Sequence, residues 1–177
     1  MSNEATPIPA HLGPEFLLWL WWRSERDEGR FDLDKPVGRV SVWVDERLAF
    51  RRPSDQKVTA VLTGENPSTT PEARAALAGG KVVQDLRIGM KRDDREYTAT
   101  LRGSGIDVAA LKVPQVMSEK EDDAIADRMF LYEEFVLVLV GLFRAFAADR
   151  AGRDWSKVTL PAMRTWLATE LPAAVEG

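Results

Sequence analysis

Between Thr69 and Arg102 the spacing of apolar residues switches from the period of a helix to that of a strand, and this switch limits the fold more than any other stretch. Thr70 suits a side-chain N-cap and Pro71 the first helical position, while Glu72 stands three residues after Thr69 in capping-box spacing. A helix is therefore expected from here to Leu77 or Ala78, ended by Gly79 and Gly80. From Lys81 the period is two. Val82, Leu86, Ile88 and Met90 share one side and Asp85, Arg87 and Lys91 the other, with Gln84 the one polar residue on the apolar side. Asp93-Asp94 turns the chain, and Tyr97, Ala99 and Leu101 alternate with Glu96, Thr98, Thr100 and Arg102 until Gly103-Ser104-Gly105. The expected product is a hairpin with one apolar and one wet face.

The remaining segments are read around that hairpin. A helix is expected from Gly13-Pro14 to about Glu28, and its seven consecutive apolar residues, Phe16 to Trp22, cover the whole circumference. Such a helix is either buried on nearly all sides or keeps a face for a partner, for which Trp19, Trp21 and Trp22 are the candidates. Arg39 to Arg51 reads as a first hairpin turning at Asp45-Glu46, with Val40, Val42, Val44, Leu48 and Phe50 inward. Lys57 to Thr63 reads as a strand covered on both faces. Ser118, followed by Glu119, Glu121, Asp122 and Asp123, marks the start of a long helix reaching Phe146. Apolar residues fill both of its sides, so it is expected to pack on the sheet and the tryptophan helix with surface left for a second subunit. A last helix is expected from about Pro161 to Leu171, capped by Thr159. The whole is an α+β domain over residues 13–171, with tails at 1–12 and 172–177. Its antiparallel sheet has about five strands, two hairpins plus one, with helices mainly on one face, including a long apolar central helix.

Composition narrows the chemistry. The 177 residues include no cysteine, which removes thiolate catalysis and cysteine-based zinc sites and agrees with a reducing compartment. The first residues lack a basic and an apolar signal region, and the longest apolar run, Phe135 to Phe143, is about half a membrane span. A cytoplasmic, non-membrane protein is expected. The only histidine, His11, has no evident acidic or nucleophilic partner. Gly79-Gly80-Lys81 follows a helix rather than preceding one, with Val82 where a phosphate loop needs Ser or Thr. The acidic residues at 119–127 lack calcium-loop spacing and are explained by the helix dipole. No enzyme, cofactor or metal is expected.

Charge is uneven. Residues 39–102 hold 12 Lys/Arg against 9 Asp/Glu in a chain of net charge −4. Arg39, Arg47, Arg51, Arg87, Lys91, Arg92 and Arg102 fall on or beside the strands, with Trp43 among them. Basic side chains around an aromatic on an open sheet face can follow a phosphate backbone; the same residues with interspersed carboxylates also describe a solvated face.

A tryptophan-rich segment near Leu18 to Ser24, a Pro-Glu helix ending in Ala78-Gly79-Gly80-Lys81-Val82-Val83, a long hairpin and an apolar helix through Arg128 to Phe146 follow in that order. In this the chain resembles the C-terminal half of the recombination-associated protein RdgC family. The resemblance implies a bacterial, nucleoid-associated, homodimeric protein that binds single- or double-stranded DNA without sequence preference, modulates recombination and catalyses no reaction. It adds Lys81 to the DNA-binding candidates. The alternative is a protein-interaction module that keeps the fold without DNA binding and docks through the tryptophan helix or the central helix.

Overall fold

The computed structural model describes residues 12–55, 57–103 and 107–168. Its frame is a six-stranded antiparallel sheet: β1 (Arg30–Leu33), β2 (Gly38–Arg51), β3 (Val58–Thr63), β4 (Val82–Arg92), β5 (Arg95–Arg102) and β6 (Asp107–Lys112), in the order β1-β2-β4-β5-β6. β3 pairs with β2 on the same edge as β1, further along the strand. Among the described residues four α-helices join it: α1 (Leu12–Ser24), α2 (Pro71–Ala78), α3 (Glu121–Ala151) and α4 (Leu160–Ala168). The expected α+β architecture is present, with six strands where about five were expected: β1 and β6 are additional, and the two strands expected over Arg39–Arg51 are one.

β4 and β5 form the expected hairpin. Arg92 pairs with Arg95 across Asp93-Asp94, and Asp93 adopts the positive φ of 55° that a two-residue turn requires. Thr70 accepts a hydrogen bond from the Ala73 amide and caps α2 as expected. The hairpin expected at Arg39–Arg51 is instead one 14-residue strand. The local turn signal at Asp45-Glu46 is overridden because β4 is long enough to pair with both halves of β2. The surplus is absorbed as a bulge in which Val44 to Leu48 oppose only Ile88 to Leu86. A second bulge, in β4, explains Gln84. Val83 faces Phe50 and Leu86 faces Leu48, so the inward set changes parity at Gln84, and Val83 rather than Val82 is fully buried.

Other boundaries shift for local reasons. α1 stops at Ser24, and a 3-10 turn over Asp27–Gly29 leads to β1, with Gly29 at φ 68°. β3 is covered on one side only; Val58 and Val61 are exposed. α3 begins at Glu121, and Ser118 donates to Asp127 instead of capping the helix. A π-turn over Trp155–Thr159 precedes α4, where Thr159 donates to Asp149. Of the tail expected at 1–12, Leu12 already belongs to α1; residues 1–11, the tail at 172–177 and the expected helix end at Leu171 lie outside the described residues.

The core lies between one sheet face and the helices. Val40, Val42, Leu48, Phe50, Leu86, Ile88, Met90, Tyr97, Ala99 and Leu101 meet Phe16, Leu17, Leu20 and Trp21 of α1 and Phe135, Val138, Leu142 and Phe146 of α3. α1 comes so close to the end of β5 that a Cβ on Gly13 would lie 1.9 Å from the Gly103 carbonyl oxygen. Only glycine permits that approach.

Candidate interaction surfaces

The tryptophans of α1 belong to the interior. Trp19, Trp21 and Trp22 are 2%, 0% and 6% exposed, which removes them as a docking face. Their helix is apolar all round because it is enclosed all round. Polar groups hold them in place: Trp19 Nε1 donates to Asp149 at 2.9 Å, and Glu25 accepts from Trp21 and from Trp166 of α4, both at 2.7 Å. Arg74 of α2 reaches the same carboxylate at 3.3 Å and lies over the Trp166 ring, so Glu25 ties α1, α2 and α4 together.

The nine basic and aromatic residues read as a DNA face divide into two sets. Arg39, Trp43, Arg47, Arg87, Lys91 and Arg102 stand on or beside the sheet face away from the helices. Trp43 lies flat over Gly89, where a Cβ would come within 2.0 Å of the indole. Carboxylates interleave with these cations: Arg39 bonds Asp32 at 2.8 Å, Arg87 bonds Asp45 at 2.9 Å, and Arg102 lies 3.5 Å from Asp107. Lys91 is paired in register with Glu96, and Arg47 and Arg102 act on Asp85. Burial raises the Asp85 carboxyl above its ordinary range in spite of those two charges. The face is thus a charge ladder rather than a basic strip.

Arg51, Arg92 and Lys81 do not join that face. Arg51 is buried, donates to Gln84 at 2.7 Å and to the carbonyls of Arg52, Pro53 and Asp55, and so fixes the turn after β2. Lys81 lines a groove between α2 and β3 with Phe50, Leu62 and Glu72. Arg92 continues the inward parity of Leu86, Ile88 and Met90, and at the sheet end it meets Glu134 of α3 at 2.8 Å. Glu134 is buried and also accepts from Arg95 at 2.7 and 2.8 Å and from Tyr97 at 2.5 Å. Burial pushes the Glu134 carboxyl up, but the bonds from Arg95 and Tyr97 and the charges of Arg95 and Arg92 outweigh it and hold the group below the ordinary carboxylate range. Tyr97 is raised by burial and by the carboxylate beside it. This cluster clamps the β4–β5 hairpin to α3. The inward parity shared by Arg92, Arg95 and Tyr97 was the sequence signal for it.

The largest departure from a closed surface is on α3. Leu131, Glu134, Phe135, Val138, Leu139, Leu142 and Phe146 face the core. The opposite side carries Ile125, Met129, Phe130, Tyr132, Val136, Leu137 and Val140, all exposed, with Met129, Phe130 and Val136 each more than half exposed. At roughly 100° per residue these form one contiguous apolar face beside Glu133 and Arg144. In residues 121–130 all but Ala124 are exposed, and Asp127 accepts from Ser118 in the segment before the helix.

Among the described residues no group of three His, Cys, Asp or Glu side chains could hold a metal ion, and no helix is long and apolar enough to cross a membrane. No protein-family model, curated protein or solved structure matches the chain. The resemblance to RdgC therefore stands on the residues quoted for it.

Proposed function

We propose that the chain is a non-enzymatic protein-docking module whose contact surface is the outer face of α3. The observation that carries this reading is the contiguous exposure of Met129, Phe130, Val136, Leu137 and Val140 on a helix whose other side is core. Water leaves such an area uncovered at a cost of about 25 cal/mol for each Å² of apolar surface, which a partner recovers on binding. The buried tryptophans supply the rigid platform on which the face is displayed. A photo-cross-linking residue introduced at Val140 in producing cells should yield a protein adduct. Absence of any adduct there, with adducts equally absent at Met129, overturns the reading.

A second reading, sequence-independent DNA binding at the nucleoid, is supported by Trp43 on the sheet face with Arg47 and Lys91 nearby and by the resemblance to RdgC. The interleaved carboxylates weigh against it, because phosphates would have to displace Asp32, Asp45 and Asp107 from their arginines. Failure to retard single- or double-stranded DNA at about 50 mM salt, where phosphate contacts are strong, would remove it.

A further inference from the structure

We infer that the occupant of the outer face of α3 is a second copy of this chain, laid antiparallel to the first about a two-fold axis between Leu137 and Val140. The inference rests on the docking reading and names its partner. Its starting point is charge. Glu133 and Arg144 are both exposed within the apolar face, and neither has an ion-pair partner among the described residues. They stand 11 positions apart, about 16 Å along the axis, too far to meet within one helix. An antiparallel copy solves both at once. Glu133 of each chain then faces Arg144 of the other, and two symmetric pairs form from one residue of each sign.

That same register matches sizes. With Glu133 opposite Arg144, Leu137 falls opposite Val140, Phe130 opposite Ala147, Met129 opposite Ala148 and Ala126 opposite Ala151. The bulky half of one helix thus lies on the alanine half of the other, and Ala147, Ala148 and Ala151 are all exposed in the single chain. The helix ends agree as well. Glu121, Asp122 and Asp123 are brought beside Arg153 and Lys157 of the second copy, all exposed in the isolated chain. Residues 121–130, exposed in the single chain but for Ala124, gain a surface to pack on. A parallel copy would oppose Glu133 to Glu133, Arg144 to Arg144 and Phe130 to Phe130, and would leave the alanines facing alanines.

The absence of cysteine from the sequence makes the geometry directly testable. The double variant Met129→Cys with Ala148→Cys, treated with a short bifunctional maleimide, should give a covalent dimer. Met129→Cys alone should stay a single chain on a denaturing gel, because the two copies of position 129 lie about 28 Å apart in this register. Light scattering should return twice the chain mass for the wild type. Glu133→Arg and Arg144→Glu should each weaken the dimer by about tenfold or more, and the two together should restore it. A covalent dimer from Met129→Cys alone, or none from the double variant, overturns the antiparallel pairing. A monomer mass at micromolar concentration, with the Val140 photo-adduct formed to a different protein, overturns self-pairing while the docking reading stands. A monomer mass with no adduct removes both.

Discussion

Glu134 is the residue on which most separate parts of the molecule depend. It is almost fully buried, and it joins α3 to Arg92, Arg95 and Tyr97 at the closed end of the main hairpin. Replacing it with glutamine keeps the shape but takes the counter-charge from Arg92 and leaves Arg95 only the more exposed Asp93, at 3.7 Å. We expect Glu134→Gln to cost about 2–4 kcal/mol by chemical denaturation, at or below the usual range for breaking a buried pair because both arginines keep some water. The pH dependence follows from the direction of the shifts. The folded Glu134 carboxyl lies below its ordinary value of 4.5, so its contribution is complete above that pH and is lost as pH falls through the folded value. The Tyr97 phenol lies above its ordinary value of 10.0, so its contribution is complete below pH 10 and is lost as pH rises beyond it. Unfolding curves of Glu134→Gln should therefore show a shallower fall on acidification than the wild type. An equal fall would mean that other carboxylates carry the acid response. Gly89 makes a smaller case of the same kind: Gly89→Val should displace Trp43 from the sheet face, visible as a red shift of its emission, because the indole occupies the space a side chain needs.

At the level of elements, legibility followed whether the partner of a segment was its neighbour in the chain. The β4–β5 hairpin and the cap of α2 are local events, and Asp93-Asp94, Thr70 and Pro71 announce them. β2 is not local. Its alternation is plain in Val40, Val42 and Val44 and resumes at Leu48, but whether the interval at Asp45-Glu46 folds back or bulges is decided by the length of β4, its neighbour on the ladder but some 40 residues away in the sequence. Gln84 and Arg51 illustrate the converse. Gln84 breaks the pattern of its strand while Arg51 keeps that of its own, and together they make a buried hydrogen bond that no single-segment reading pairs. Truncating Arg51 to alanine should cost about 1–3 kcal/mol, since it strands the Gln84 side chain and frees the turn at Arg52 to Asp55. Thermal unfolding of Arg51→Ala measures this, and a neutral result would make the arginine dispensable. β1 and β6 were missed because four and six residues at the sheet margins carry too little alternation to stand apart from loops. The outer face of α3 was legible only as an excess: the sequence shows apolar residues on both sides, and the structure tells which side the core takes.

For the molecule as a whole, the exposed half of α3 ties local order to assembly. A helical segment of about ten residues that is exposed nearly all round is marginal in water. Amide exchange over residues 121–130 should be fast in dilute solution and slow as concentration rises through the dimer range, whereas residues 131–146, held by the core, should be slow throughout. Concentration-independent protection of 121–130 would contradict the pairing. The long β2 strand has a further consequence, for the time the chain needs to fold. β1–β2 and β4–β5 zip from short connections, but the two hairpins become one sheet only when β2 finds β4, with everything from residue 52 to 81 looped out between Arg51 and Val82. Closing that loop loses chain entropy before any pairing repays it, so the search for this register governs the folding rate. β3 and α2, which lie within the loop, shorten its effective span as they form, and the order in which they do so sets the pace at which the two halves of the sheet meet.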